Sequence, residues 1–489
     1  MNQKEILKMV DEVIERGPFK DNWESLSDFH VPEWYRNAKF GIFIHWGVFS
    51  VPEFGNEWYP RNMYSREHPC FQYHLEHYGD LKEHGYKSLI PLFKAERFDA
   101  DAWMEQIQES GAGYVMPVAE HHDGFQLYDS SLSDWNSVKM GPHRDIMAEL
   151  KEAAGKRGIP FAMSNHRAEH CWFFNYADAE TDVAMEENRD FYGIQQACNH
   201  DMSHDIYSLP PSKEHCENWL ARQCEMVEKY KPYIVYFDWW VHNLGFKPYL
   251  KKFAAYYYNR AVEWGMEVAI NYKYNAFVDG TAVYDIERGC LQGLRPDFWQ
   301  TDTSTAKNSW GYTRGNEYKS STEIIEDLVD IVSKNGALLL NIGPRADGSI
   351  CEEDQRILKD IGCWMKVNGE GIYGSGYWKI YGEGPAKTKE GAFGERERRN
   401  YTERDIRFTY KKGVLYAFIM KTPKDGKITI QSLGLTDPKG GNGSFDIKTM
   451  QVLGSDVAVS YTRDCNGAHI ILEHPVVSRG PLCIKIQLD

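Results

Sequence analysis

Carboxylates and imidazoles stand at the ends of several short apolar runs in this chain. "YIVYFDWW" (233–240) ends on Asp238 with Trp239 and Trp240 behind it. "AEHHDGF" (119–125) places Glu120, His121, His122 and Asp123 after an apolar run, and "FGIFIHW" (40–46) ends in His45 and Trp46. "YDIERG" (284–289) carries Asp285 and Glu287, and "FWQTDT" (298–303) carries Trp299, Gln300 and Asp302. Burying a carboxylate is costly unless it is paired or hydrogen-bonded. Each of these groups is therefore either a satisfied structural group or the reason its strand exists. Carboxylates, imidazole donors and indole faces together suit glycoside hydrolysis. One carboxylate attacks or stabilises the anomeric carbon while a carboxylic acid protonates the leaving oxygen. Imidazoles and indoles can hold the hydroxyls and C–H faces of the sugar. Plainer readings exist for each: Asp238 as a helix cap, the His pair as hydrogen-bonded turn residues, and Glu287 as an ion pair with Arg288.

The elements that must carry these groups alternate in type. Apolar runs read as strands at 40–46, 113–119, 160–165, 233–239, 267–273, 282–287, 298–303 and 337–343. Helical patterns precede many of them, such as "DADAWMEQIQESG", "HRDIMAELKEAAGKRG" and "KEHCENWLARQCEMVEKY". The clearest helix opens with a capping box, Ser320 and Glu323, and Gly336 is read as its stop. Apolar strands alternating with helices predict a parallel sheet buried on both faces, and eight of them predict a (β/α)8-like barrel. Few helices are evident between 267 and 303. In a parallel barrel, function collects at the C-terminal strand ends, where all the groups named above stand.

After about residue 375 the pattern changes. The stretch from "GEGPAKTKEGAFGERERRNYTERD" reads as a linker or exposed loop, and short runs with turn signals then predict an all-β sandwich. The expected division is a catalytic unit over 1–375 and a β unit over 376–489.

Composition narrows the classes further. The 489 residues allow two or three domains, and 42 % apolar residues can build a real core. A net charge of −15, with no basic run, argues against nucleic acid. Aromatics reach 14 %, which suits sugar binding and aromatic packing about equally. Ten cysteines include no CxxC pair, the N-terminus lacks a signal-peptide h-region, and no run reaches transmembrane length. A cytoplasmic protein with reduced thiols is expected. Two patterns are read as decoys. "HRAEH" (His166–His170) matches an H-x-x-E-H zinc pattern but follows a strand in loop context, and His200 and His204 in "NHDMSHD" read as a solvated loop.

In order along the chain, "WYRNAKFGIFIHWGVFSVP", "NEWY", "AEHHDGFQLYDS", "YFDWW", "SWGY" and "LLLNIGPRADG" resemble the α-L-fucosidases of glycoside hydrolase family 29. The resemblance spans about residues 34 to 375, and the β region resembles that family's C-terminal domain. It implies a retaining exo-α-L-fucosidase without metal or organic cofactor. It assigns the nucleophile to Asp238 and fucose binding to His45, Glu57, His121 and His122, with Trp58 and Tyr236 lining the pocket. The family's acid/base varies in position. Some relatives carry Trp-Glu where this chain has Trp299-Gln300, and glutamine cannot cycle a proton. Glu287 is therefore assigned the role, with Asp285 in reserve. The two carboxyl groups are expected ~5–5.5 Å apart. The expected partner is an α-L-fucoside, with no nucleic acid and no membrane, and a homo-oligomer is compatible with this class. The acceptor side is expected from loops such as 166–210. The alternatives are a catalytically impaired fucose- or carbohydrate-binding protein, a glycosidase for a related sugar such as galactose, and a zinc hydrolase through "HRAEH".

Overall fold

Eight strands close into a parallel barrel in simple order: β1 (Phe40–Ile44), β2 (Val115–Glu120), β3 (Met163–Asn165), β4 (Ile234–Phe237), β5 (Ala269–Lys273), β6 (Val283–Glu287), β7 (Trp299–Ser304) and β8 (Gly336–Ile342). Closure is made by β1 against β8, with Phe40 opposite Leu338 and Ile44 opposite Ile342. This computed structural model describes residues 1–197, 209–396, 400–435 and 446–489. His200 and His204 lie outside the described residues.

Each strand falls on one of the apolar runs, because a strand covered on both faces needs apolar residues on both. The longer helices between strands cover the barrel: Ala100–Glu109, Ile146–Lys156, Lys213–Tyr230, Lys247–Trp264 and Ser321–Ser333. The N-terminal helix Gln3–Arg16 buries Ile6, Val10, Val13 and Ile14 against the third and fourth of these. No helix connects β5 to β6 or β6 to β7. That side is irregular, as the weak helical pattern there predicts.

Side chains alternate across a strand with period two. The barrel interior therefore takes Tyr236 and then Asp238 after it, Asn271 and Lys273, Asp285 and Glu287, Gln300 and Asp302. Cross-strand pairing sets these side by side: Lys273 opposite Asp285, Asp285 opposite Gln300, and Glu287 opposite Asp302. One half of the barrel is thus filled with polar groups that must satisfy each other.

The Ser320–Glu323 capping box is present, but Gly336 is not the helix stop. Asn335 takes the left-handed turn (φ 73°), and Gly336 is the first residue of β8. A Cβ at Gly336 would stand 2.7 Å from the Trp299 ring, so this glycine serves close strand packing.

The remaining strands are β9 (Gly376–Glu383), β10 (Ile406–Lys411), β11 (Val414–Ile419), β12 (Lys427–Ile430), β13 (Ile447–Val452), β14 (Val459–Asp464), β15 (Gly467–Leu472) and β16 (Leu482–Leu488). They form a five-stranded sheet ordered β13-β16-β11-β10-β9 and a three-stranded sheet ordered β12-β15-β14, with a separate apolar core that includes Phe408, Ile430, Ile470 and Ile484. Sequence patterning missed β9, whose run "GYWKIYGE" is glycine-rich, charged and mostly half-buried. The larger sheet packs on helix Ser321–Ser333. There Asp330 is shared by Arg407 (2.5 Å) and Lys334 (2.6 Å), all three buried. The linker also differs from expectation. Part of it docks at the barrel mouth: Gly391 bridges to Cys290, and the Phe393 amide donates to the Glu287 carbonyl at 2.8 Å.

Candidate active site

A cavity of about 420 Å³ opens at the C-terminal end of the barrel. Its walls include His45, Glu57, Trp58, His121, His122, His166, Asp238, Glu287 and Asp302, with Trp172, Trp239, Trp240 and Trp310 as aromatic faces. Of the residues assigned from sequence, Tyr236 and the reserve acid Asp285 do not reach it. Tyr236 is fully buried in the barrel interior, and its hydroxyl donates to Asp302 at 2.9 Å. The correction has a simple cause. Tyr236 points inward like Asp238 but lies two residues deeper, one layer below the cavity floor.

His45 is held through Nδ1, 2.7 Å from the Asn341 side-chain oxygen. Asn341 is itself fixed by donating to Ser304 (3.0 Å) and to the Trp310 carbonyl (2.7 Å). With Nδ1 donating, Nε2 of His45 is an acceptor. Burial, with neighbouring His166, drives the His45 pKa well below the ordinary imidazole value. Burial and neighbouring imidazoles do the same to His121. His122 is depressed to about 3, again chiefly by burial, and its Nδ1 donates to the His166 carbonyl at 2.9 Å. Three neutral imidazoles therefore face the pocket and can hydrogen-bond neutral hydroxyls. Glu57 enters from the loop after β1, with one oxygen taking the Trp310 amide (2.8 Å) and the Ser309 hydroxyl (3.2 Å).

Asp238 is the first residue past β4. Burial pushes its carboxyl up, but His166, His122 and Lys273 together outweigh burial and hold it below the ordinary carboxylate range. His166 Nδ1 lies 3.1 Å from one carboxylate oxygen, though poorly aligned for a hydrogen bond, and His122 Nε2 lies 3.6 Å from the same oxygen. An ionised carboxylate in a sugar-sized cavity is what a nucleophile requires.

Glu287 ends β6. It is not paired with Arg288, whose guanidinium instead bonds Glu395 at 2.9 Å. Glu287 accepts from the Trp239 indole and lies 3.8 Å from Lys273. Burial raises its pKa, Lys273 opposes this, Asp302 and Asp238 add to it, and the balance stands at about 7. The two carboxyl groups thus sit in environments that push their pKa values apart, the signature of an ionised nucleophile beside a protonated acid.

Sequence reasoning missed Lys273. Its ammonium bonds Asp302 (2.6 Å) and Asp285 (2.7 Å) inside the barrel, and these carboxylates outweigh burial and keep it protonated. Asp285, the reserve acid, is spent here. It accepts from Lys273 and from Gln300 (2.7 Å) and does not line the cavity. Gln300 in turn accepts from Tyr35 (2.6 Å) and Tyr114 (2.7 Å) on the floor, so glutamine at this position removes no carboxyl from the cavity. Lys273→Met would leave two buried carboxylates without their cation. It is expected to lower stability by about 3–5 kcal/mol, read as a fall of several degrees in Tm by calorimetry. An unchanged Tm would show that Asp285 and Asp302 are held by other means.

His166 was hidden inside the zinc-like pattern. His166 and His170 do not converge: His166 turns to Asp238, while the two ring nitrogens of His170 lie 2.9 Å from the carbonyls of His122 and Phe191, to one of which its N–H donates. Residues 167–169 form a single 3-10 turn, so the four-residue spacing does not bring the two rings together. Arg167 of the same motif, with Arg222, neutralises buried Glu120, each at 2.7 Å, which makes Glu120 structural. Asp123 is structural too, accepting from the Tyr86 hydroxyl at 2.5 Å. Among the described residues, two other groups have metal-like spacing within 4.8 Å, His45–His121–His166 and His122–His166–Asp238. Imidazole and carboxylate donors of this kind suit a borderline divalent ion such as zinc, and the same residues line the cavity.

A barrel whose mouth holds an ionised carboxylate, a second carboxyl poised near neutrality, neutral imidazoles and indole walls defines a glycoside hydrolase. The match of residues 6–370 to the model of the alpha-L-fucosidase family identifies which one: the chain belongs to that family. It is 31% identical over 451 residues to the plasma alpha-L-fucosidase of Homo sapiens, covering 88% of this chain and 84% of that protein. It is 30% identical over 456 residues to the tissue alpha-L-fucosidase of Mus musculus, covering 91% and 88%. The crystal structure of Thermotoga maritima alpha-fucosidase in complex with a mechanism-based inhibitor superposes with a TM-score of 0.76 at 27% identity, covering 96% of this chain and all of that one.

Proposed function

We propose that the chain is a retaining exo-α-L-fucosidase acting on terminal α-L-fucosides, with Asp238 as nucleophile and Glu287 as acid/base. The carrying observation is that Asp238 and Glu287 line one cavity at the barrel mouth, with His166 and His122 against the first and the Trp239 indole on the second; these surroundings displace the two carboxyls in opposite directions, Asp238 downward and Glu287 upward. Asp238 attacks C1 of the fucoside as the C1–O bond breaks, and the leaving oxygen takes the proton of Glu287. The fucosyl-Asp238 ester then meets a water that Glu287 deprotonates, releasing L-fucose with its configuration retained. His45, His121, His122 and Glu57 hold the hydroxyls, and Trp58 offers an apolar face to the C6 methyl. A slot for one methyl discriminates by ~1–3 kcal/mol.

The test is phenol release from an aryl α-L-fucoside, with the β-anomer and the aryl α-galactoside alongside and EDTA in a parallel arm. Turnover of the α-L-fucoside alone, insensitive to chelator, supports the reading. Fucose binding without turnover would make this a carbohydrate-binding protein, and chelator-sensitive turnover would make it a metal hydrolase.

The proposal keeps the unit boundary at 375/376, where the barrel's last helix Glu352–Asn368 has ended and β9 is about to begin. It also keeps a cytoplasmic location, which draws support from the nine described cysteines all being free thiols. No described helix is long and apolar enough to cross a membrane. Cell fractionation reads the location, and light scattering of the purified protein reads its proposed self-association.

A further inference from the structure

The linker segment 389–395 is not a passive connection. It lies along residues 287–290 at the end of β6, with backbone bonds from Gly391 to the Cys290 carbonyl (3.1 Å), Phe393 to the Glu287 carbonyl (2.8 Å) and Glu395 to the Arg288 carbonyl (3.1 Å). The approach is close enough that a Cβ on Gly289 would stand 2.0 Å from the Gly391 oxygen. Glu395 clamps the segment. Burial pushes its carboxyl up, but Lys319 (2.7 Å) and Arg288 (2.9 Å) outweigh this and keep it ionised.

What the clamp presents is an aromatic shelf. The Phe393 ring, 38 % exposed, lies nearly parallel to Trp239 at 12°, with centroids 6.4 Å apart. Tyr274 lies on Trp239 as well, with centroids 6.4 Å apart, and is 46 % exposed. The backbone there is strained: Trp240, Tyr274 and Arg288 follow β4, β5 and β6 with φ of 73°, 53° and 43°. Such left-handed non-glycine residues persist where surrounding structure enforces them, and they cluster at functional sites.

We infer that Trp239, Phe393 and Tyr274 form the aglycone subsite, and that it takes a pyranoside through the C–H face of its ring. This rests on the proposed role of Glu287. A general acid must lie within hydrogen-bond reach of the oxygen it protonates. Glu287 is held by the Trp239 indole. The group attached to the leaving oxygen therefore starts beside Trp239 and extends over the shelf. Trp239 and Phe393 both stand on the cavity wall with near-parallel rings, and Tyr274, tilted 31° to Trp239, lies just beyond that wall; aromatic faces offered to C–H groups favour a sugar ring over an extended peptide or a lone phosphate. Lys307, an exposed residue on the same cavity wall, supplies a donor for the hydroxyls. Part of the stretch expected to build the acceptor side, residues 198–208 of 166–210, lies outside the described residues. From that region Glu169 and Trp172 do line the cavity, but the group that holds the acid comes from the turn after β4.

The experiment compares Phe393→Ala with the parent enzyme on a fucosyl-galactoside disaccharide and on α-L-fucosyl fluoride, which has no aglycone ring and needs little acid assistance. Only the ring is removed, since the amide that bonds Glu287 remains. The ratio of kcat/KM for disaccharide over fluoride is expected to fall about five- to tenfold, with most of the change in KM, and Phe393→Tyr is expected to restore it. An unchanged ratio overturns the subsite. An equal loss on both substrates also overturns it, because the segment would then serve only to hold the β6 end. If the parent enzyme fails to cleave even the fluoride, the fucosidase reading itself fails, a result distinct from either.

Discussion

Asp238→Asn is expected to lower kcat on an aryl α-L-fucoside on the order of 10⁴-fold while leaving the fold and fucose affinity nearly unchanged. Asparagine is isosteric and can still meet His166 and His122, so packing around the β4 terminus is preserved. What is lost is the attacking oxygen anion. In the parent enzyme that anion is held ionised by His166, His122 and Lys273 against the opposing effect of burial. A sharper form of the test uses Asp238→Gly with azide. The small nucleophile fills the vacated space and attacks the same face, so the product should be the β-fucosyl azide, of inverted configuration. A variant that keeps more than a tenth of parental kcat would remove Asp238 from the mechanism. Nearly complete loss without azide rescue, in a protein that still binds fucose, would point to a role in binding rather than attack.

Glu287→Gln should separate acid catalysis from attack. General acid assistance is worth about 10²- to 10⁴-fold. The loss should approach the upper figure for a disaccharide, whose leaving alkoxide needs a proton, and shrink strongly for a dinitrophenyl or fluoride leaving group. The pH profile carries independent information. Glu287 must be protonated for the first step, and its pKa is raised to about 7. Parental kcat/KM should therefore fall about tenfold per unit well above pH 7. Asp238 must be ionised, and its pKa is depressed, so the acid limb should lie below the range of an ordinary carboxylate. In Glu287→Gln the basic limb should disappear. If that limb survives the substitution, another group is the acid. Asp302 is then next in line, because it also reaches the cavity and contacts Lys273.

Much of this was legible before any tertiary structure. All eight barrel strands lie where apolar runs predict them, since a doubly covered strand needs apolar residues on both faces and the run records that locally. The positions of His45, Asp238 and Glu287 follow, because the end of a run is also local information. The capping box at Ser320 and Glu323 was readable for the same reason: it involves residues three apart.

What remained hidden depends on distances between segments far apart in the chain. Lys273 looks like any residue ending a strand until β5 is placed beside β6, where period-two alternation sets its ammonium between Asp285 and Asp302. Glu287 next to Arg288 reads as an ion pair in sequence, yet neighbouring strand residues face opposite sides, and Arg288 turns to Glu395, over a hundred positions away. Tyr236 and Asp238 share a face, and only the height of the cavity floor decides that one touches substrate and the other supports Asp302. His166 was obscured by a motif whose meaning requires a helix that the turn after β3 does not form. Phe393 and Glu395 sit in a stretch whose glycines and charges describe a loop correctly, while saying nothing of where that loop docks. Local composition thus determined the barrel and which residues stand at its rim. Only tertiary packing, of strand against strand and of the loops over them, decided which carboxyl stays charged, which keeps its proton, and which are consumed in holding the others.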